Sequence, residues 1–178
     1  MPVGNNNGYG SPPPAGNPPP PGQPLNLGYP GAQPSANGDA GSGALATLPP
    51  SATPRDEFDL GIGYMERKDY ALADQTMRGF AAKYPGDPLA GDSQYWLGES
   101  LFQRQQYRDA AEVFLNVTTK YDKVGKAPDA MLRLGQSLAA LKEKEAACAA
   151  FGELSKKYPR ASAGVRSGVD RELKKEKC

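Results

Sequence analysis

Histidine is absent from this 178-residue chain, and cysteine occurs only twice, at Cys148 and Cys178. Without imidazole the chain lacks the commonest general base and metal ligand, and the side chain that titrates near neutral pH. Two distant cysteines are too few for a zinc site. A phosphate-binding loop ending in Gly-Lys-Ser or Gly-Lys-Thr is also missing. The sequence therefore predicts a protein that is not an enzyme and that uses no cofactor and no metal.

Long hydrophobic runs are also missing, since no apolar stretch approaches the ~20 residues that cross a bilayer. We therefore expect no direct membrane insertion. The 21 basic and 20 acidic side chains are interspersed and give a net charge of +1. Such a surface lacks the basic patch that nucleic-acid binding requires, so no nucleic-acid partner is expected.

Charge is scarce in the first fifty residues, where Asp39 stands alone among 13 of the 18 prolines and 10 of the 21 glycines. This composition cannot build a core and predicts a disordered Pro/Gly-rich linker over residues 1–54. Fifty such residues reach ~40 Å as a coil and up to roughly 150 Å when extended. Because low-complexity sequence rarely begins a protein, we expect a further segment upstream.

The remaining residues, 55–178, repeat with a period of 37. Glycine recurs at Gly61, Gly98 and Gly135, and a leucine precedes each of them. The same spacing relates three further sets of identical residues, which are Ala73, Ala110 and Ala147; Lys83, Lys120 and Lys157; and Tyr84, Tyr121 and Tyr158. Three copies of one structural unit are therefore predicted.

Each copy fits the tetratricopeptide pattern, in which Leu-Gly is followed by an aromatic residue or leucine and then by Ala-x-x-x-Phe or a variant of it. Small residues let two antiparallel helices approach, and leucine and phenylalanine fill the space around them. The predicted fold is all-α: a right-handed solenoid of three helical hairpins and a C-terminal capping helix. The expected repeats and cap are about 55–87, 88–124, 125–160 and 161–176, formed by helices at 55–67, 70–84, 88–104, 107–121, 126–141, 144–158 and 161–176.

Three start signals support these helices. Asp69 is a candidate N-cap of the second helix, Asp87 precedes Pro88 in the first turn of the third, and Ser162 precedes the last. For the cysteines two readings stay open. A disulfide would close a loop of about 30 residues and add roughly 3–4 kcal/mol. The favoured reading is a small buried Cys148 and an exposed thiol at Cys178.

The first helix of each hairpin lines the concave side of such arrays, where they hold a peptide or a partner helix. Residues flanking each Leu-Gly are therefore candidate partner-binding residues. They are Phe58, Ile62, Met65, Asp92, Tyr95, Glu99, Phe102, Gln103, Asp129, Leu132 and Gln136. Aromatic residues at the helical spacing of Tyr95 and Phe102 are more often inter-repeat core than ligand contacts, and Trp96 is expected to be buried between repeats. The mixture of apolar side chains, carboxylates and amides favours a protein segment as ligand.

The stretches "YWLGE" at 95–99 and "PDAMLRLG" at 128–135, with three repeats at this longer period, resemble the cell division coordinator CpoB family, also called the Tol-Pal system protein YbgF. The resemblance covers about residues 56–172. It implies a periplasmic adaptor that binds TolA and the peptidoglycan synthase PBP1B and coordinates wall synthesis with outer-membrane constriction during division. It also implies an upstream export signal, and trimerisation only through an upstream coiled coil.

Two alternatives remain. Subunits of the outer-membrane protein assembly machinery use similar repeats on a lipid anchor, although no lipobox cysteine is present here. A peptidoglycan-active enzyme is disfavoured by the lack of a catalytic arrangement.

Overall fold

The structure, a computed structural model, describes residues 48–178, which contain seven helices and no strand. Residues 1–47 of the predicted linker, which spans residues 1–54, lie outside the described part of the chain. The helices are α1 Pro54–Glu66, α2 Tyr70–Lys83, α3 Ala90–Gln103, α4 Tyr107–Lys120, α5 Ala127–Ala140, α6 Lys144–Lys157 and α7 Ala163–Glu176. The all-α prediction of three hairpins and a final helix is confirmed.

The 37-residue period is visible in the backbone. The helices α2, α4 and α6 begin 37 residues apart, as do α3 and α5. The turn inside each hairpin contains a non-glycine residue with a positive φ, at Lys68 (63°), Gln105 (61°) and Lys142 (68°). A side chain in this left-handed conformation costs about 1–2 kcal/mol. The same strained turn thus occurs in each of the three hairpins, and in each one the packing energy exceeds the cost of the strain.

Two helices begin with side-chain caps. The Thr53 hydroxyl accepts a hydrogen bond from the Asp56 amide (3.2 Å), and the Asp56 carboxylate accepts one from the Thr53 amide (2.8 Å), which is a capping box. The predicted cap Ser162 accepts from the Val165 amide at 3.2 Å. Asp69 occupies the predicted N-cap position of α2, but its side chain makes no capping bond.

The prediction for the start of the third helix was wrong by two residues, because α3 begins at Ala90 rather than at Pro88. The Asp87 carboxylate accepts a hydrogen bond from the Leu89 amide at 2.8 Å. The carboxylate therefore closes the turn that precedes the helix and leaves the helix N-terminus without a side-chain cap.

The repeated glycines make room for a large side chain of the following helix. A Cβ built on Gly98 would lie 2.6 Å from the Phe114 ring, which no real contact allows. Gly61 faces Met77 and Gly135 faces Phe151 in the same way. These three partners are fully buried. The hairpins thus close as predicted, although the glycines fit a ring or a thioether rather than the repeated alanines.

The first helices of the hairpins form one row and the second helices form another. In the described part of the chain, the backbone of α3 lies close to those of both α1 and α5, whereas the backbones of α2, α4 and α6 do not approach one another. The second helices meet only through side chains, as where Lys157 of α6 donates a hydrogen bond to the Thr118 carbonyl of α4 at 2.7 Å. A stack whose first helices are closer together than its second helices curves toward the first. The face of α1, α3 and α5 is called the inner face below, and the face of α2, α4 and α6 the outer face.

The last helix covers the end of the stack. It packs on α5 and α6 through Val165 and Val169, which are buried, and Gly168 lies against Leu132 of α5. Basic side chains on its other face stay exposed. This matches the predicted terminal cap, because an open stack needs a helix with one polar face at its end.

The favoured reading of the cysteines was wrong, because Cys148 of α6 and Cys178 form a disulfide. Their Cα atoms are 5.6 Å apart, which is within the ordinary range for such bridges. After α7 the backbone turns at Lys177 with a left-handed φ of 54°, and this turn returns Cys178 to α6. The end of the chain is therefore fastened to the last hairpin rather than frayed.

Candidate functional site

Three open cavities follow one another along the inner face. Their volumes are about 500 Å³ between α1 and α3, 300 Å³ between α3, α5 and α7, and 510 Å³ between α5 and α7. Arg133 of α5 lines all three, and Tyr95 and Gln136 each line two. The three cavities therefore meet at Arg133, and together they are called the groove below.

The α1 end of the groove is apolar and aromatic. Ile62 and Met65 of α1 face Tyr95 and Trp96 of α3 across the cavity. The two rings of α3 meet edge to face with centroids 5.2 Å apart, and the Lys126 ammonium lies 5.3–5.5 Å from both rings. A pocket with rigid aromatic walls suits an apolar side chain of a bound segment.

A buried ion pair supports the middle of the groove. Glu99 is 6% exposed, and its carboxylate accepts hydrogen bonds from Arg133 Nη2 at 2.8 Å and from Gln103 Nε2 at 2.8 Å. Arg133 Nε lies 2.8 Å from the second carboxylate oxygen, an ion-pair contact that lacks hydrogen-bond geometry. Because the pair joins α3 to α5, it fixes the relative position of the second and third repeats.

The same guanidinium organises the surrounding side chains. It lies 4.7 Å from the ring centroid of Phe102, which in turn meets Tyr107 edge to face at 5.3 Å. Arg133 Nη1 also donates to the Gln136 oxygen at 3.1 Å, and Gln136 Nε2 donates to Glu172 of α7 at 2.8 Å. One chain of contacts thus runs across the groove from α4 to the capping helix.

The α7 end of the groove carries more positive charge. Lys142, Lys144 and Lys175 line this cavity together with Glu172 and Glu176. Lys175 lies 3.4–3.6 Å from both carboxylates, whereas neither Lys142 nor Lys144 forms an ion pair with a described residue. This end therefore favours negatively charged groups.

All the predicted binding residues except Phe58 and Asp92 line one of these cavities. Phe58 is buried against the Phe80 ring, with centroids 6.0 Å apart, and belongs to the core. Asp92 is half-buried, and burial raises the pKa of its carboxyl while Lys126 opposes that shift. Asp129 and Leu132 lie in the central cavity, next to α7.

Two of the predicted residues support the groove from within. Tyr95 is 7% exposed, and burial raises the pKa of its hydroxyl well above the usual value, with Glu99 and Asp129 adding to the shift and Arg133 opposing it. Tyr95 is therefore neutral at physiological pH. Glu99 is buried by its bonds to Arg133, so its carboxylate holds the arginine in place rather than facing solvent.

Sequence reasoning missed Arg133, which is central to the groove. One signal was available, because Glu99 directly follows the close-packed Leu97-Gly98 pair and a buried carboxylate needs a cation. Arg133 stands 37 residues after Trp96 and so shares its position in the repeat. Trp96, expected to be buried between repeats, is half-buried and lines the groove.

The described residues 48–178 hold no group of three Cys, Asp or Glu side chains arranged to hold a metal ion. None of the seven helices has the length and apolar character that crossing a bilayer requires.

Comparisons with known proteins agree with this architecture. Two family models described as tetratricopeptide repeat match residues 58–123 and residues 129–161. The cell division coordinator CpoB of Pseudomonas putida strain KT2440 and its counterpart from Pseudomonas putida are each 40% identical to this chain over 42 residues. That match covers 24% of this chain and 16% of the length of each relative. On the helical period, the glycine contacts and these matches, residues 58–123 and 129–161 form tetratricopeptide repeats, in a domain similar to that of the CpoB proteins.

Proposed function

We propose that the chain is a non-enzymatic adaptor whose inner face binds a segment of another protein. The observation that carries the proposal is the row of three cavities that meet at Arg133 and combine aromatic walls with polar and basic groups. The cavities open on the inner face, and their lining residues come from all three hairpins and from α7. Extended or helical segments of a partner fit such a surface better than a small metabolite does.

The two ends of the groove indicate the chemistry of the partner segment. The pocket around Ile62, Met65 and Trp96 favours an apolar anchor, and the lysines at positions 142 and 144 favour carboxylates. A bound segment therefore presents an apolar side chain toward α1 and acidic residues toward α7. Complementary charge sets its direction along the groove.

The cellular setting we propose is the bacterial periplasm. The Cys148–Cys178 disulfide supports an oxidising compartment, since such bridges form in the periplasm and are rare in the cytosol. The similarity to cell division coordinator CpoB supports a role in division. We infer that the adaptor works with the Tol-Pal system, with TolA and the peptidoglycan synthase PBP1B as partners, and coordinates peptidoglycan synthesis with outer-membrane constriction.

Calorimetric titration of purified TolA, and separately of PBP1B, into the full oxidised chain tests this proposal. The double variant Ile62→Ser, Met65→Ser removes the apolar anchor site and is expected to weaken binding by about tenfold or more. Lys156→Ala, an exposed change on α6, serves as the matched control and leaves the affinity unchanged.

If both proteins bind the double variant as tightly as wild type, and its circular dichroism spectrum is native, the inner face is not the binding surface. Failure of both proteins to bind the wild-type chain would contradict the proposed partners.

A further inference from the structure

The outer face carries a second groove, which the inner-face function does not use. It lies between α4 and α6, above α5, and encloses about 380 Å³. Its walls and floor are apolar and come from all three helices. The apolar lining residues are Ala111, Leu115, Leu134, Leu138, Leu141 and Ala146.

The equivalent place one repeat earlier is occupied by charged side chains that pair with one another. There Asp74 of α2 binds Arg78 of the same helix at 2.9 Å and Arg104, which follows α3. Thirty-seven residues later, the counterparts of Asp74, Arg78 and Arg104 are an alanine and two leucines, at 111, 115 and 141. The fold therefore accepts an ion-pair cluster at these positions, and the second groove replaces it with apolar side chains.

This replacement leaves apolar surface exposed to water. Leu115 is 51% exposed, and among the described residues 48–178 it is the one large hydrophobic side chain that is exposed. Leu138 and Leu141 are half-buried beside it. Because the neighbouring repeat shows that packing does not require leucine here, the exposed side chains point to a binding role.

We propose that this outer groove docks a short protein segment that carries aliphatic side chains flanked by a basic residue. The rim of the groove carries two negative charges, on Glu112 and Glu143, and one positive charge, on Arg108. This excess of negative charge favours a basic residue in the bound segment. The volume supports a short segment, because the groove lies at the lower end of the roughly 300–1,000 Å³ range of binding pockets. A stable dimer needs roughly 800 Å² from each partner, which favours a single segment over a second copy of the chain.

A synthetic probe tests the chemistry of the groove. The probe is a fluorescein-labelled 15-residue amphipathic peptide with leucines on one face and lysines on the other, and a second peptide has glutamate in place of every lysine. Fluorescence anisotropy with the full oxidised chain is expected to show one site for the lysine peptide. The glutamate peptide is measured with the Ile62→Ser, Met65→Ser variant, which lacks the apolar anchor site of the inner face, and is expected to bind that variant at least about tenfold more weakly than the lysine peptide does.

Exchanging the triads between repeats supplies matched variants. The triple variant Ala111→Asp, Leu115→Arg, Leu141→Arg copies the ion-pair cluster into the outer groove and is expected to weaken binding of the lysine peptide by about tenfold or more. The converse triple variant Asp74→Ala, Arg78→Leu, Arg104→Leu opens the equivalent place one repeat earlier. It is expected to create a second peptide site that binds the lysine and glutamate peptides alike, because the counterparts of Glu112 and Glu143 there are Gln75 and Gln106.

Controls separate this proposal from the inner-face proposal. The Ile62→Ser, Met65→Ser variant should bind the lysine peptide as wild type does, and circular dichroism checks that each variant is folded. Equal binding of the peptide by the folded Ala111, Leu115, Leu141 triple variant overturns the proposal. A second result also overturns the proposal. If the wild-type chain sediments as a dimer and the triple variant sediments as a monomer, the groove binds a second copy of the chain.

Discussion

The disulfide between Cys148 and Cys178 makes a quantitative prediction about stability. It closes a loop with a sequence separation of 30 residues. In the chain-entropy relation a loop of that size lowers the entropy of the unfolded chain by about 12 cal/mol/K, which is roughly 3.6 kcal/mol at 25 °C. The Cα separation of 5.6 Å lies within the normal range, so little of this is lost to native-state strain.

Thermal unfolding followed by far-UV circular dichroism measures the effect. For a domain of this size about 3.6 kcal/mol corresponds to a fall in Tm of roughly 10 °C or more when the bond is reduced. The protein is melted with and without a phosphine reductant. Cys178→Ser is the control, because it lacks the bond under both conditions and should melt with the reduced wild-type protein.

Two results would refute the reasoning. The first is alkylation of two thiols in the denatured, unreduced protein, measured by intact mass, since both sulfurs would then be free. The second is a Tm that does not change on reduction, since the loop would then place no constraint on the unfolded chain.

Three further predictions follow from the packing, the ion pair and the first cap. Gly98→Ala should lower the free energy of unfolding by about 1–3 kcal/mol in urea titrations, because the Phe114 ring fills the space beside Gly98. Gly79→Ala is the same change at an open helical site and should raise that free energy by up to about 1 kcal/mol. If both variants change stability in the same direction, the packing argument is wrong. Glu99→Gln should lower the free energy of unfolding by roughly 2–3 kcal/mol in the same assay, because it leaves Arg133 without a carboxylate. The double variant Glu99→Leu, Arg133→Leu should recover part of that loss. If the effect of the double variant equals the sum of the effects of its two single substitutions, the two residues do not interact. The hydrogen bonds of the capping box lower the pKa of Asp56 in the folded state, so its contribution is present above the unfolded pKa near ~4 and is lost as the pH falls through the lower folded value. The Tm difference between wild type and Asp56→Asn should therefore shrink between pH 7 and pH 2, and a constant difference would exclude this role.

The hairpins could be predicted from the sequence because their cause is local and repeated. Glycine at 61, 98 and 135 marks close approach, and the apolar spacing marks helices. The position of most candidate residues on the inner face followed from that register. The hairpin turns at Lys68, Gln105 and Lys142 share the same period, but no residue type there indicates a positive φ.

Long-range pairings could not be read in the same way. Joining Cys148 to Cys178 requires that α7 first fold against α6 and that the chain then turn back at Lys177. Glu99 and Arg133 meet because α3 and α5 lie side by side, and nothing near either residue in the sequence selects the other. Such contacts depend on how repeats stack, which periodicity alone does not specify.

The constant offset between hairpins has a consequence for how such a protein changes over evolutionary time. An additional copy of residues 88–124, inserted after residue 124, would meet on each side the backbone that its own neighbours already present. The groove would lengthen by one hairpin while its apolar and basic ends kept their chemistry. The span of polypeptide that the protein can hold is therefore set in whole units. A duplication within the gene adjusts it with the same backbone geometry, and the side-chain contact that must change is that of the first Glu99, which would face a tryptophan instead of Arg133.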